Sequence, residues 1–186
     1  MISALFLIQS SPVQSQSTIH IFHGIDAPIS CVWDVVYNLA NWSEWNDVFD
    51  IHIDGLPEVG DVIEITASWF LSAPTFTRSR ISVVEDTDTL KRICWDLQEL
   101  GVPNIRGTEA LFWIPTPPHF FNTERCIVLT ESQTTNGTMI DNYINLDSLG
   151  GVVVFVVLGI LLNKAFQDFN EALNDEVINA GCGISL

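Results

Sequence analysis

One long helical pattern near the C-terminus, following a chain patterned mostly as strands, constrains the fold more than any other feature of this sequence. The pattern covers residues 149–179, and its second half places Phe166 and Phe169 on one apolar stripe. At 1.5 Å per residue, a helix of this span is on the order of 45 Å long. Residues 149–162 are almost entirely apolar, but this stretch is shorter than the roughly 20 residues that cross a membrane. We therefore predict a buried helix and no membrane span.

Shorter segments in which apolar and polar residues alternate predict the strands. They cover residues 19–25, 48–53, 61–69, 76–85, 89–97, 106–114 and 125–133. After the first of them, Pro28 predicts the start of a short helix with an apolar stripe from Ile29 to Leu39, and a second short helix is predicted over 41–46. Only the C-terminal helix is long enough to cover the apolar face of such a sheet. The predicted fold is α+β, with a curved antiparallel sheet of about six or seven strands around that helix.

The polar segment 10–17 is rich in Ser and Gln, which is typical of a flexible arm. We therefore predict a flexible tail over residues 1–18, one domain over 19–180 and a C-terminal tail over 181–186.

The charge of the chain excludes some classes of partner. Its 186 residues include 23 acidic and 7 basic side chains, for a net charge of −16, and residues 1–77 contain no Lys or Arg. Binding to nucleic acid or to an anionic membrane surface requires clustered basic residues, so neither is expected.

The cysteines Cys31, Cys94, Cys126 and Cys182 show no CxxC spacing and no zinc-finger histidine spacing. They predict buried free thiols in a cytoplasmic protein. The sequence also lacks HExxH, GxSxG, GxGxxG and P-loop motifs, so we expect neither a metal nor a cofactor.

Several motifs resemble one known superfamily. The run IDAPISCVWDVV at 25–36, NWSEWN at 41–46 and PEVGD at 57–61 are similar to the opening of the START/Bet v1-like superfamily, in particular its polyketide cyclase/dehydrase branch. The resemblance continues through 107–115 to the closing helix and covers essentially residues 19–180. It implies a helix-grip fold: a strongly bent sheet that closes over the long helix, with a hydrophobic cavity between them.

Aromatic residues are the first candidates to line such a cavity. Trp69, Trp95 and Trp113 fall on the apolar faces of their predicted strands, with Leu111 on the face of Trp113, and Phe166 faces them from the helix. Packing in an ordinary core is the alternative interpretation for each of them.

Two carboxylates are candidates for acid–base chemistry. Glu109 and Glu131 interrupt apolar alternation on strands predicted to be neighbours, and burial raises the pKa of a carboxylic acid toward neutrality. The alternative is that they pair with arginines or lie in water at the cavity mouth.

Two further residues are candidate ligand contacts. Arg80 shares a strand face with Arg78, whereas Thr77 and Ser79 share the other face. The pattern does not indicate which face is inward; an inward Arg80 would hold an anionic oxygen of the ligand. Asn142 or Tyr143 is a candidate hydrogen-bond donor to an enolate.

These observations lead to two hypotheses. The first is a cofactor-free cyclase or dehydratase that confines a polyketide-like or terpenoid-like compound and uses a cavity carboxylate as acid or base. The second is a carrier that binds a lipid, quinone or other apolar metabolite without chemistry. The expected partner is in both cases a hydrophobic small molecule, and the expected oligomeric state is a monomer or homodimer.

Overall fold

The structure, a computed structural model, describes residues 16–68, 74–103, 106, 109–115, 122–132, 137–147 and 151–182. Its strands are β1 (Gln16–Ile25), β2 (Phe49–His52), β3 (Val62–Ala67), β4 (Thr75–Asp86), β5 (Leu90–Pro103), β6 (Ala110–Pro115), β7 (Asn122–Glu131) and β8 (Thr138–Asp147). Its helices are α1 (Ile29–Tyr37), α2 (Trp42–Trp45) and α3 (Gly151–Asn179), with one 3-10 turn at Leu39–Asn41. The element order is the predicted one, with one added strand, β8.

All described strands belong to one antiparallel sheet in the order β1-β8-β7-β5-β4-β3-β2. The short strand β6 also pairs with β5: β7 is hydrogen-bonded along 90–96 of β5, and β6 along 99–103. β6 and β7 therefore follow one another along the same edge of β5 and do not pair with each other in the described register.

The side of the sheet that faces α3 is called the inner face below. It is defined by strand residues such as Ile21, Ile63, Ile93 and Ile127, which form one buried core with Phe166 and other residues of α3. The predicted α1 stripe belongs to the same core, because its residues from Ile29 to Leu39 are buried. The predicted wrapping of a sheet around the C-terminal helix is confirmed.

Strand β8 was not among the predicted strands. Its inner-face row consists of Ile140, Asn142 and Ile144, so a polar residue interrupts the apolar alternation at its centre. The predicted N-terminal boundary is also slightly late, since β1 begins at Gln16 and pairs there with Asp147. Residues 1–15 and 183–186 of the predicted tails lie outside the described part of the chain.

The prediction of four free thiols is wrong. Cys31 is bonded to Cys182, and Cys94 is bonded to Cys126. The partners lie 151 and 32 residues apart in sequence, and only the fold brings their Cα atoms to 6.0 and 4.1 Å. The first bond ties α1 to the segment just after α3, so residue 182 is anchored and is not part of a free tail.

None of the described helices is long and apolar enough to cross a membrane.

Candidate ligand-binding site

An aromatic cluster lies between the inner face and α3. Trp42 and Phe169 have ring centroids 4.7 Å apart, Trp42 and Trp95 are 6.2 Å apart, and Phe49 lies 6.3 Å from Phe166. Both Trp95 and Phe166 are buried, as their strand and helix patterns predict. Such flat, rigid rings form walls well suited to an apolar compound.

A guanidinium lies within this aromatic cluster. The Cζ atom of Arg125 is 4.0 Å from the ring centroid of Phe49, 4.5 Å from that of Phe166, 5.2 Å from that of Trp95 and 5.8 Å from that of Phe169. Its Nε and Nη2 atoms have no hydrogen-bond partner among the residues that the structure describes. Burial lowers the pKa of Arg125 to about 9, so the group is still charged at neutral pH.

Two asparagine amides accompany Arg125 inside the protein. Asn142 and Asn170 are fully buried, and within the described structure neither amide nitrogen nor amide oxygen has a hydrogen-bond partner. Asn142 lies diagonally across the strand pair from Arg125, whose direct partner on β8 is Ile144, and such diagonal neighbours are about 7–8 Å apart. Asn170 is one helical turn from Phe166, on the face of α3 that packs against the sheet.

The position of Arg125 follows from the same alternation that predicted β7. Ile127 and Leu129 point to the inner face, so residue 125, two positions earlier, must also point there. Arg125 is not among the predicted site residues, because an arginine side chain usually lies at the surface. The sequence nevertheless contains a signal of burial, because Arg125 lies in the same alternating row as the apolar residues Ile127 and Leu129.

An apolar strip, defined as Leu100, Val102, Phe112 and Ile114, extends this inner face to the surface. In register, Ile65 of the core pairs with Thr77, Thr77 with Leu100, and Leu100 with Ile114. Paired residues project from the same face of a sheet, so the strip continues the core row. The exposed fractions are 40% for Leu100, 49% for Ile114 and 52% for Phe112. The described inner face therefore continues from the buried aromatic cluster to solvent through mainly apolar residues, with Thr77 between Ile65 and Leu100.

Trp113 does not have the predicted inward orientation, and Arg80 takes the outward one of the two orientations that the pattern left open. Trp113 pairs with Gly101 and Gly101 with Phe76, and the Arg78 guanidinium lies 4.2 Å from the Trp113 ring centroid. On β4, Phe76 and Arg78 alternate with Thr77 and Ser79, which pair with the core residues Ile65 and Ile63. Trp113 and Arg78 therefore lie on the face opposite the inner one. Arg80 is exposed there, on an open groove of about 490 Å³ lined also by His52, Glu64 and Glu99.

Glu109 and Glu131 do not face a buried cavity; both residues are exposed, as in the alternative interpretation of a position in water. Glu109 immediately precedes β6 and Glu131 is the last residue of β7, so each side chain reaches solvent where its strand ends. They lie toward opposite ends of the 14-residue strand β5. The two carboxylates therefore do not form a pair.

Tyr143 is on the outer face as well. Its ring centroid is 5.1 Å from that of His20, whose Nδ1 lies 3.0 Å from a carboxylate oxygen of Asp141. Burial and the nearby Glu124 carboxylate raise the pKa of Tyr143. Trp69 and the side chain of Leu111 lie outside the described residues.

One group in the described chain has the spacing of a metal site: ligand atoms of Cys94, Glu124 and Cys126 lie within 4.8 Å of one another. Both sulfur atoms are joined in a disulfide. They therefore cannot act as thiolate ligands in this state.

No protein-family model matches the sequence, and no curated protein matches it. Solved structures do match the fold. The Zhui aromatase/cyclase from Streptomyces sp. R1128 superposes with a TM-score of 0.63 at 10% identity, over 91% of this chain and 99% of that one. The chain has the Bet v1-like helix-grip fold.

Two plant proteins share this Bet v1-like fold. A point mutant of norcoclaurine synthase from Thalictrum flavum, in complex with a transition-state analogue, gives a TM-score of 0.59 at 12% identity, over 92% of this chain and 99% of that one. The major latex-like protein 151 of Panax ginseng gives 0.54 at 12% identity, over 90% and 97% of the two chains. The resemblance in the sequence motifs is thus confirmed at the level of the fold.

Proposed function

We propose that this protein binds an apolar small molecule between the inner face of the sheet and α3. The observation that carries the proposal is the apolar strip, which joins the buried aromatic cluster to solvent. Exposed large apolar side chains contiguous with a core mark binding surfaces more often than scattered ones do. The Bet v1-like neighbours, among them a cyclase and a synthase in complex with an analogue, support an internal small-molecule site.

The neutral fluorescent probe N-phenyl-1-naphthylamine tests this function. We expect saturable binding, weakened about 5- to 10-fold by Phe112→Ser because the variant removes apolar contact area at the entrance. Phe22→Ser is the matched control: Phe22 is 47% exposed, nearly as much as Phe112, but lies on the outer face in a stack with His20. Absence of saturable binding, or equal weakening by both variants, would contradict the proposal.

A second candidate is catalysis of a cyclisation or dehydration on a polyketide-like or terpenoid-like compound. It is favoured by Asn142, whose buried amide nitrogen has no hydrogen-bond partner among the described residues and is the donor that we propose for an enolate oxygen. Glu109 and Glu131 remain the proposed acid–base residues of this version, acting from solvent-exposed positions. Glu109→Gln and Glu131→Gln distinguish the two functions. An enzyme that uses either group loses turnover in that variant but keeps its substrate affinity. A carrier has no turnover to lose, and its ligand affinity stays the same in both variants.

The disulfides bear on where the protein works. Two disulfides in one domain favour an oxidising compartment over the cytoplasm that the cysteine spacing predicted. We propose such a compartment for the function above.

A further inference from the structure

The buried guanidinium of Arg125 is the feature of the inner face that an apolar ligand alone does not explain. A charged group in a protein interior is normally paired, because removing an ion from water is costly. Within the described structure no carboxylate lies within salt-bridge distance of Arg125, whereas Arg78 and Arg92 each form an ion pair with a glutamate. The surrounding rings attract the cation, but they accept no strong hydrogen bond from its N–H groups.

The unpaired atoms have a specific geometry. Nε and Nη2 are on the same edge of the guanidinium plane, and this edge presents two parallel N–H donors. The molecule uses the same edge elsewhere: Nε and Nη2 of Arg78 both donate to Oε1 of Glu64, at 2.9 and 2.6 Å. On Arg125, no described residue accepts a hydrogen bond from the Nε–Nη2 edge, which on Arg78 binds a carboxylate at the outer face.

We infer that Arg125 receives the carboxylate of an apolar ligand, with the amides of Asn142 and Asn170 as neutral hydrogen-bonding partners. A carboxylate fits because it carries the single negative charge that one guanidinium balances and accepts two parallel hydrogen bonds. A phosphate dianion would leave a buried excess charge. This inference rests on the proposed function, since it names the class of compound that the same site takes.

The location of Arg125 also orients the ligand. Arg125 pairs with Trp95 on β5, and Leu100 of the apolar strip is five residues further along that strand. At about 3.3 Å per residue, the distance is roughly 16 Å. The carboxylate would thus be deep in the aromatic cluster and the apolar body would extend toward the strip, as for a medium-length acyl chain or a fused-ring acid.

Dodecanoate and dodecan-1-ol test the inference, because they share one chain and differ in the head group. Both are titrated against protein loaded with N-phenyl-1-naphthylamine, and displacement is followed by fluorescence. We expect wild-type protein to prefer dodecanoate by about 10- to 100-fold, the range of one or two charge-assisted hydrogen bonds. Arg125→Met should reduce this preference to about 3-fold or less. Arg80→Met, which removes the same charge from the outer face, should leave it unchanged.

Arg125→Lys is a second variant that tests the inference if Arg125→Met does not fold. It keeps the positive charge but lacks the two-donor edge, so the preference should fall about 3-fold, to a value between those of wild type and Arg125→Met. Equal affinity for both compounds in a wild-type protein that binds the probe would overturn the inference and leave the proposed function standing. A preference that survives in Arg125→Met would also overturn it. If neither the probe nor either compound binds, the proposed function and the inference both fail.

Discussion

Replacing Arg125 by Met should stabilise the ligand-free protein, although it removes a residue from the centre of the molecule. Burial lowers the pKa of Arg125 from its ordinary value to about 9. At about 1.4 kcal/mol for each unit of pKa, burial makes the charged form of Arg125 about 5 kcal/mol less favourable in the folded protein at neutral pH. Met keeps a flexible apolar side chain against the same rings and carries no charge.

The aromatic rings offset part of this cost. Four rings lie within 6 Å of the Arg125 Cζ atom, and each contributes roughly 0.5–1 kcal/mol of cation–π attraction. The net gain expected for Arg125→Met is therefore about 1–3 kcal/mol. Exchange of a buried ionic group for an apolar side chain of similar size has effects of about this size in other proteins.

Urea unfolding at pH 7, followed by Trp fluorescence, measures this difference. Arg80→Met is the control, because loss of any positive charge from a chain of net charge −16 increases general repulsion. The same titrations at higher pH test the sign. Since the folded-state pKa of Arg125 is lower than that of the unfolded chain, wild-type stability should rise relative to Arg125→Met as the pH increases from about 9 toward 12.

A loss of stability in Arg125→Met, beyond the loss in Arg80→Met, would refute the reasoning. It would mean that the rings fully compensate the buried charge, so that Arg125 is a structural core residue. A stabilised variant that no longer prefers carboxylates would instead identify a residue retained for binding at the expense of stability.

Three further predictions follow from the packing. The intact mass of the protein should be about 4 Da lower than that of the reduced chain, because two disulfides form. Cys31→Ser should lower the free energy of unfolding by about 3–5 kcal/mol, because the bond to Cys182 closes a very long loop. Gly137→Ala should destabilise by at least about 2 kcal/mol, since its Cβ would clash with the backbone oxygen of Ile25. Gly24→Ala, with open space around it, should be nearly neutral. Burial lowers the pKa of His23 below 6.5, so stability should fall as the pH drops through 6.5 toward 5, and less steeply in His23→Gln.

Much of the fold could be predicted from local patterns. The two-residue period of the strands, the stripe of α1 and the length of the C-terminal helix are each consequences of short-range geometry. Strand β8 escaped prediction because Asn142 interrupts its inner row, and this asparagine belongs to the candidate site. Under the proposed function, the buried polar group that serves the ligand is thus the same residue that removed the signal on which the prediction depended.

The candidate site was less predictable, and Trp113 and Glu131 illustrate the reason. Alternation shows which residues share a face, but the side of the sheet that α3 covers, and how far along each strand it covers, depends on pairing between distant segments. Trp113 shares its face with the outward Arg78, and Glu131 stands where β7 ends.

The fold class, the wrapping of a sheet around the terminal helix and the apolar character of the interior therefore follow from the sequence. Which charged residue is buried and which cysteines pair depend on the tertiary structure. The physical reason is range: periodicity reflects contacts a few residues apart, whereas the aromatic rings around Arg125 come from β2, β5 and α3, and the Cys31–Cys182 pair joins opposite ends of the chain.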